Sequence, residues 1–354
     1  GGAAHAPLPH PAMKPYLVHL LALLVVLVLS IAAGPVFIPP GTLLRILAAG
    51  LPGLHIQPDW PETFSAIIFK IRLPHTILVL LTGAALGGSG AVYQGVFRNP
   101  LADPYLIGVA SGAGLGAVVA MALGGGTAGA LGLLGMYAIP AAAFIGAALT
   151  ILVVYSLARV GSNLPTTTLI LAGVAVSAFA SSLTSLLMLR SNEELRRALG
   201  WLLGGSLMGG WEPVLAVLPY IVIGLAGLSL SGHALNVLQF GEEQANQLGL
   251  PAERVKLLLI LGASLTTAAA VAFSGIIGFI GLIVPHVARM LWGHDYRRLV
   301  PLSVLGGGAA LLAADLLARL LLAPEVLPVG IVTALAGAPF FLWVLRRARS
   351  QAYW

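Results

Sequence analysis

The sequence predicts an all-α polytopic membrane protein with ten transmembrane helices. Hydrophobic residues make up 58% of the 354 residues and charged residues only 8%, whereas soluble globular domains carry about 25% charged residues. Long intervals without any charged residue recur along the chain. So few charges cannot cover the surface of a water-soluble fold of this size. The composition therefore excludes a soluble enzyme, a nucleic-acid-binding domain and a disordered chain.

The net charge of +6 comes from 18 Lys and Arg residues that are scattered along the chain. Scattered basic residues are typical of loops that set membrane topology, rather than of a nucleic-acid-binding surface. The absence of cysteine excludes disulfides and thiolate metal sites. The chain begins at Gly1 without an initiating Met. We expect residues 1–13 to be a non-native or disordered tail, and residues 14–354 to form a single transmembrane domain.

The spans are expected in the intervals without Asp, Glu, Lys or Arg, because a charge at mid-bilayer costs about 2.5–3.5 kcal/mol. The interval 104–158 is too long for one span of about 20 residues, so we expect two spans there, broken at Gly124-Gly125-Gly126. Eight intervals are long enough to matter: 15–44, 73–97, 104–158, 160–189, 213–241, 257–288, 299–314 and 326–345.

The interval 257–288 is compatible with one long span or two short ones. Basic residues flank it on both sides, at 254, 256, 289, 297 and 298. Basic loops favour the cytoplasm, so an even number of crossings should separate the two clusters. We therefore predict two short spans with a hinge near Ser274-Gly275, which gives ten spans in total and places both termini in the cytoplasm.

Asp315 falls inside the ninth predicted span, and Arg319 follows one turn later, so the two side chains are expected to pair. None of the three lysines completes a nucleotide-binding P-loop, so the chain should not hydrolyse ATP itself. Without a second buried charge, an ion-coupled secondary carrier is disfavoured but stays open as an alternative. Stretches such as 83–90 and 111–116 are rich in small residues and predict close helix packing.

Two polar segments interrupt the apolar pattern. Residues 241–253 predict a short helix with Ala245 and Leu248 on one face, ended by Gly249 and Pro251. This segment is either a solvated connector or a helix that docks into a partner. Residues 193–203 predict an amphipathic helix with Trp201 as an interfacial anchor, serving either to hold the membrane or as a lid.

Several motifs in this order resemble one family, the permease subunits of binding-protein-dependent ABC importers for iron chelates and cobalamin. The resemblance spans roughly residues 60–345. The motifs that carry it are Ile71-Arg72-Leu73-Pro74, Phe97-Arg98-Asn99-Pro100-Leu101-Ala102-Asp103-Pro104, Gly241-Glu242-Glu243-Gln244-Ala245, Gly278-Phe279-Ile280-Gly281-Leu282-Ile283-Val284-Pro285-His286 and Leu327-Pro328-Val329-Gly330-Ile331-Val332-Thr333-Ala334.

The resemblance implies the type II ABC importer permease architecture, with ten spans and a homodimer in the inner membrane of a bacterium or archaeon. The implied partners are a second copy of the chain, two cytoplasmic ATP-binding subunits that hold ATP and Mg, one periplasmic or lipid-anchored substrate-binding protein and the membrane lipid. It implies no cofactor or metal in this chain and no nucleic-acid partner. The implied substrate is an iron chelate (siderophore or haem), with cobalamin as the alternative.

The resemblance also implies three groups of functional residues and no catalytic residue. His75 departs from the family pattern, in which many members carry Arg, so docking there should be weaker or pH-sensitive. Docking of the binding protein is expected at Arg72, His75 and Arg319. The pathway and its gates are expected near Thr166, Ser177, Ser181, Ser185 and Trp201. Coupling to the ATPase is expected at Gly241, Glu242, Glu243, Gln244, Ala245, Leu248, Gly249 and Leu250.

Overall fold

The computed structural model describes residues 13–34, 36–50, 57–123, 132–161, 164–189, 192–205, 209–323 and 325–351. All of its regular elements within these ranges are helices. Residues 1–12, in the predicted tail, and the predicted break at Gly124-Gly125-Gly126 lie outside the described residues.

The α-helices follow one another along the described chain, with a π-helical turn at Ile67–Arg72 and short 3₁₀ segments at Pro104–Ile107 and Gly132–Tyr137. In chain order they are α1 (Lys14–Ala32), α2 (Pro40–Ala49), α3 (Glu62–Ala66), α4 (Leu73–Val96), α5 (Val109–Ala122), α6 (Ala138–Ala158), α7 (Thr166–Met188), α8 (Asn192–Leu202), α9 (Trp211–Leu230), α10 (Gly232–Leu238), α11 (Glu242–Gln247), α12 (Ala252–Ser274), α13 (Ile280–Trp292), α14 (Tyr296–Leu321) and α15 (Val329–Gln351).

Seven helical segments in the described part of the chain are long and apolar enough to cross a membrane. They are α1, the continuous segment Glu62–Val96 that contains α4, Gly135–Ala158 with α6, and the helices α7, α9, α12 and α14. Four shorter apolar helices accompany them, namely α2, α5, α13 and the segment Val329–Val344 of α15. The chain is therefore a multi-pass helical membrane protein.

The predicted interruption of the long apolar interval near Ser274-Gly275 is present. Helix α12 ends at Ser274, and α13 begins only at Ile280. Gly275 adopts φ +80°, a left-handed conformation that L side chains rarely take. A Cβ atom on Gly275 would also lie 2.2 Å from the carbonyl oxygen of Trp201. The glycine therefore lets the chain leave the helix while α8 packs directly against its backbone.

Helix α4 lies at the centre of the bundle, and small residues allow its backbone to touch its neighbours. A Cβ on Gly83 would lie 2.3 Å from the carbonyl oxygen of Gly307 in α14, and one on Gly87 would lie 2.2 Å from that of Ser303. Such contacts are typical of membrane helices, where van der Waals packing rather than the hydrophobic effect holds helices together. The close packing predicted for residues 83–90 is confirmed.

The stretch 111–116 packs in the same way at the contact between α5 and α6. A Cβ on Gly116 would lie 2.0 Å from the carbonyl oxygen of Ala142, and one on Gly146 would lie 2.3 Å from that of Gly112. The glycines of this stretch therefore serve helix packing, as predicted.

Candidate functional site

The polar segment after α10 forms the predicted short helix, α11. Gly241 precedes it with φ +108°, and Gly249 follows it with φ +86°. The backbone N–H of Leu250 donates to the carbonyl oxygen of Ala245 at 2.9 Å, which closes the turn. The side-chain Oδ1 of Asn246 accepts a hydrogen bond from the N–H of Ala252 at 3.0 Å and so connects the turn to α12.

One detail of the predicted helix is wrong. Ala245 is fully buried, but Leu248 is 68% exposed, so the two do not share a face. Helix α11 ends at Gln247, and the chain turns at Leu248, which carries the Leu248 side chain away from the buried side. Glu243 and Gln244 are exposed as well. The segment therefore exposes an apolar side chain and polar side chains at its surface.

A buried lysine ties α11 to the rest of the bundle. Lys256, in the second turn of α12, is only 2% exposed. Its Nζ donates hydrogen bonds to Oε1 of Glu242 at 2.8 Å and to the carbonyl oxygen of Leu164 at 2.7 Å. Leu164 lies two residues before α7 begins. We call Glu242, Lys256, Leu164 and Glu253 the lysine clamp, since Glu253 contacts Glu242 and the backbone of Leu164.

The charge state of Glu242 follows from the lysine clamp. Partial burial alone would raise the pKa of Glu242, but the hydrogen bond and positive charge of Lys256 outweigh it and lower that pKa. Glu242 is therefore ionised at neutral pH, and its bond to Lys256 is charge-assisted. Sequence reasoning assigned Glu242 to the coupling segment but missed Lys256, because a lysine near a helix start is usually exposed.

Arg72 lies at the start of α4 and is 7% exposed. Its guanidinium donates to the carbonyl oxygens of Ile31 at 2.8 Å and Ala32 at 2.9 Å, and also to that of Val36. These carbonyls belong to the end of α1 and the residues after it, which have no partners within the helix. Arg72 therefore holds the end of α1 against α4.

The pairing of Asp315 with Arg319 is confirmed, with Oδ2 of Asp315 and Nε of Arg319 3.0 Å apart. His75 joins this pair, because its Nε2 lies 3.0 Å from Oδ1 of Asp315. Arg319 also donates to Ser30 Oγ at 2.8 Å and to the carbonyl oxygen of Ala33 at 3.1 Å. No short sequence pattern predicts the contact of His75 with Asp315, since 240 residues separate them.

The three predicted docking residues, Arg72, His75 and Arg319, thus come together where α1, α4 and α14 meet. Helix α4 follows directly after Arg72 and runs from Leu73 to Val96, a rise of about 36 Å at 1.5 Å per residue. The cluster and Arg98, which lies beside Gly241, are consequently at opposite ends of the bundle. His75 is the most accessible of the three, with 33% of its side chain exposed, against 12% for Arg319. Their docking role stays a prediction.

The predicted pathway residues divide into two groups. Thr166 and Ser177 are half-buried, whereas Ser181 and Ser185 are exposed on α7. The Oγ of Ser185 donates to the carbonyl oxygen of Ser181 at 2.9 Å, so its hydroxyl is satisfied within its own helix. Exposed apolar side chains occur on the same helix, including Phe179 at 67% and Leu186 at 61%.

Trp201 lies inside the protein rather than at its surface. Its side chain is 2% exposed, and Ala198, one turn earlier on α8, is 1% exposed. The predicted role of Trp201 as an interfacial anchor is therefore wrong: the buried face of α8 carries Ala198 and Trp201 and packs on the hinge at Gly275. Leu199, on the other side of α8, is 45% exposed.

Comparison with known proteins decides the family. The model of the FecCD transport family matches residues 22–347. The chain belongs to this family. The cobalamin import system permease protein BtuC of Halobacterium salinarum is 46% identical over 292 residues, which are 82% of this chain and 76% of that protein. The hemin transport system permease protein HmuU of Yersinia pestis is 41% identical over 293 residues, covering 80% of this chain and 84% of that protein.

A solved structure gives the same answer for the fold. It is described as an inward-facing conformation of a metal-chelate type ABC transporter, and it superimposes with a TM-score of 0.80 at 30% identity. The superposition covers 95% of this chain and 100% of the other. The FecCD chain is accordingly an ABC importer permease and not the ATPase. Membership in an ABC family sets aside the ion-coupled secondary carrier.

The described residues contain no group of three or more His, Asp or Glu side chains that could hold a metal ion. We call Arg72, His75, Asp315 and Arg319 the Arg72 cluster. The lysine clamp and the Arg72 cluster are built from ion pairs and backbone contacts. Their chemistry is that of holding helices together. The expectation that this chain carries no cofactor stays a prediction.

Proposed function

We propose that this chain is the membrane-spanning subunit through which a bulky metal chelate enters the cell, driven by ATP hydrolysis in two separate cytoplasmic subunits. The observation that carries the proposal is the lysine clamp. It fixes the exposed helix α11 to α12 and to the residues before α7 through bonds of 2.7 and 2.8 Å. A partner that moves α11 would thereby move the helix that carries the predicted gate.

The names of two relatives support the proposed substrate class. One is named for cobalamin and another for hemin, at 46% and 41% identity. These relatives support cobalamin and haem about equally, and a ferric siderophore belongs to the same class of large, multidentate metal complexes. The substrate of this chain is therefore proposed as one of these three chelates.

The proposed assembly is a two-fold homodimer with ten crossings per chain and both termini in the cytoplasm. Ten crossings are supported by the seven helical segments that are long and apolar enough to span a membrane, together with the shorter apolar helices α5, α13 and α15 in the remaining predicted intervals. The surface of helix α7 is an argument for the proposed dimer. Phe179 and Leu186 expose apolar surface, and Ser181 and Ser185 on the same helix expose polar surface. A helix that faces both a second copy and a water-filled pathway needs both kinds of side chain.

Uptake by proteoliposomes tests the function. The chain is reconstituted with its ATPase and its substrate-binding protein, and accumulation of haem, cobalamin and a ferric siderophore is measured with and without ATP. We expect one ligand to accumulate only when ATP can reach the ATPase subunits and the binding protein is present. Accumulation that follows an ion gradient and ignores ATP would refute the proposal.

The docking role of the Arg72 cluster is tested with Arg72→Gln. Because the carbonyls of Ile31 and Ala32 lose a charged donor, we expect a loss of about 2 kcal/mol of stability. If the cluster also docks the binding protein, the folded fraction should lose stimulation of ATP hydrolysis by that protein. Arg45→Gln is the matched control, since Arg45 is half exposed and pairs with Asp59 at 2.5 Å. Full stimulation in a destabilised Arg72→Gln variant would leave Arg72 with a structural role alone.

A further inference from the structure

A basic cavity of about 440 Å³ opens at the end of the bundle that carries α11. It lies between the ends of α4 and α13 and the start of α14. Two arginines and two histidines line it, Arg98, Arg289, His286 and His294, together with the amides of Gln94 and Gln239. None of the described residues that line it is a carboxylate. The lining therefore favours an anion.

The acidic side chain next to the cavity in sequence is already neutralised. Asp295 follows His294, but its Oδ1 accepts hydrogen bonds from Asn236 Nδ2 at 2.7 Å and from the backbone N–H of Arg297 at 3.0 Å. The Nη2 of Arg297 lies 3.3 Å from Oδ2 of the same carboxylate. Asp295 is thus engaged in capping α14 and does not itself line the cavity.

Arg289 is held in position before any ligand arrives. Its Nη2 donates to Oε1 of Gln94 at 2.9 Å and to the hydroxyl of Tyr296 at 3.3 Å. Gln94 is itself fixed, because its Nε2 donates to the carbonyl oxygen of Leu282 at 3.1 Å. The contacts of Arg289 with described side chains use Nη2, which leaves Nε and Nη1 for a ligand. A pre-organised guanidinium loses little entropy on binding a phosphate.

Two further side chains have polar atoms without a hydrogen-bond partner within the described chain. The Arg98 guanidinium makes no hydrogen bond or ion pair there, although its charge acts on nearby Glu242, and the Arg98 backbone is held at φ +48°. The Nδ1 of His286 is buried without a hydrogen-bond partner among the described residues. A buried polar atom without a partner destabilises the fold, and a bound ligand or water would relieve that cost.

The position of the cavity indicates where the anion comes from. Met290 lines the cavity and is 53% exposed, and Leu291 beside it is 63% exposed. Exposed apolar residues beside a basic pocket, at the ends of membrane helices, are typical of a phospholipid site at headgroup depth. We propose that this cavity binds a phosphate group, and that an anionic phospholipid of the surrounding leaflet supplies it.

Lipid binding to the full chain in detergent tests the proposal. Native mass spectrometry measures the apparent Kd of phosphatidylglycerol, with phosphatidylcholine as the zwitterionic control and inorganic phosphate as a competitor. We expect phosphatidylglycerol to bind about tenfold more tightly than phosphatidylcholine. Arg98→Gln should remove about tenfold of that affinity, as expected for one charge-assisted hydrogen bond. Arg254→Gln, which removes an exposed charge outside the cavity, should change the Kd little.

Arg289→Gln should weaken binding as well, and its thermal unfolding shows whether the loss of the Gln94 and Tyr296 contacts disturbs the fold. Because the Arg98 side chain makes no hydrogen bond or ion pair within the described chain, the Arg98→Gln result stands if Arg289→Gln fails to fold. Three results would overturn the proposal. The first is equal binding of phosphatidylglycerol by wild type and Arg98→Gln, and the second is full competition by inorganic phosphate at a concentration equal to that of the lipid. The third is release of the lipid when the chain assembles with the ATPase. That release would make the cavity a contact for an acidic side chain of the ATPase subunit.

Discussion

Gly90→Ala should cost the chain about 3 kcal/mol or more of stability, at the upper end of what overpacking does. A Cβ atom on Gly90 would lie 1.9 Å from the carbonyl oxygen of Gly281, 2.5 Å from its carbonyl carbon and 2.6 Å from its Cα. All three atoms are backbone, so no side chain can rotate away. The clash can only be relieved by moving α13 away from α4.

The separation would spread beyond one contact. The neighbouring Leu282 accepts the hydrogen bond from Gln94 through its carbonyl oxygen, and Ser89 Oγ donates to the carbonyl oxygen of Ala263 at 3.1 Å on the other side of α4. Moving α13 would stretch the first bond, and moving α4 would stretch the second. The helix is therefore constrained from both sides at Gly90.

Gly227→Ala is the matched control, because Gly227 in α9 has nothing within 4 Å of its added Cβ. Removing a flexible glycine from a helix without a clash stabilises by about 0.4–1 kcal/mol. The fraction of monodisperse protein after heating in detergent, followed by size-exclusion chromatography, compares the two variants. Equal midpoints for Gly90→Ala and Gly227→Ala would show that the contact between α4 and α13 gives way easily.

The sequence predicts the helices well and their contacts poorly, for a physical reason. The interruption at Gly275 and the pair of Asp315 with Arg319 depend on local patterns, a glycine in a long apolar run and an i,i+4 spacing, and both are confirmed. The contact of His75 with Asp315 depends on how α4 and α14 pack, which no short pattern encodes.

The candidate site shows the same division. The bounds of α11 follow from Gly241 and Gly249, both of which the sequence displays. Burial of Trp201 and exposure of Leu248 do not follow from hydropathy, because in a membrane protein the lipid and the core are both apolar. The amphipathic pattern therefore identifies α8 and α11 as helices without showing which apolar side chain faces the protein.

Lys256→Met should separate ATP hydrolysis from transport and destabilise the chain by about 2–4 kcal/mol. Methionine keeps much of the length of the lysine but removes the donor to the carbonyl oxygen of Leu164 and the partner of Glu242. The loss of stability comes from breaking the ion pair of Lys256 with Glu242 and from leaving the carbonyl oxygen of Leu164 without its donor. The loss is smaller than for a fully buried pair, because the Glu242 side chain is 44% exposed. Glu242 and Glu253 would also face each other without a cation.

Transport per ATP is the measurement that distinguishes coupling from stability. Wild type, Lys256→Met and Arg254→Met are compared in proteoliposomes at a temperature where all three stay folded. Arg254 is exposed and two residues away, so its substitution removes a cation from the same turn without touching the lysine clamp. We expect the ratio of uptake to hydrolysis to fall about tenfold for Lys256→Met alone. An unchanged ratio would show that α11 transmits its movement by another route.

The pH dependence of stability gives an independent check on the same bond. The folded-state pKa of Glu242 is lowered, since the charge and hydrogen bond of Lys256 outweigh the effect of burial. Its stabilisation is therefore fully present above the unfolded-state pKa of about 4.3 and is lost as the pH falls through the lower folded-state value. The difference in unfolding midpoint between wild type and Lys256→Met should be constant near neutrality and shrink below about pH 4. A difference that persists at lower pH would place the effect of Lys256 in its bond to Leu164, because a backbone carbonyl does not titrate.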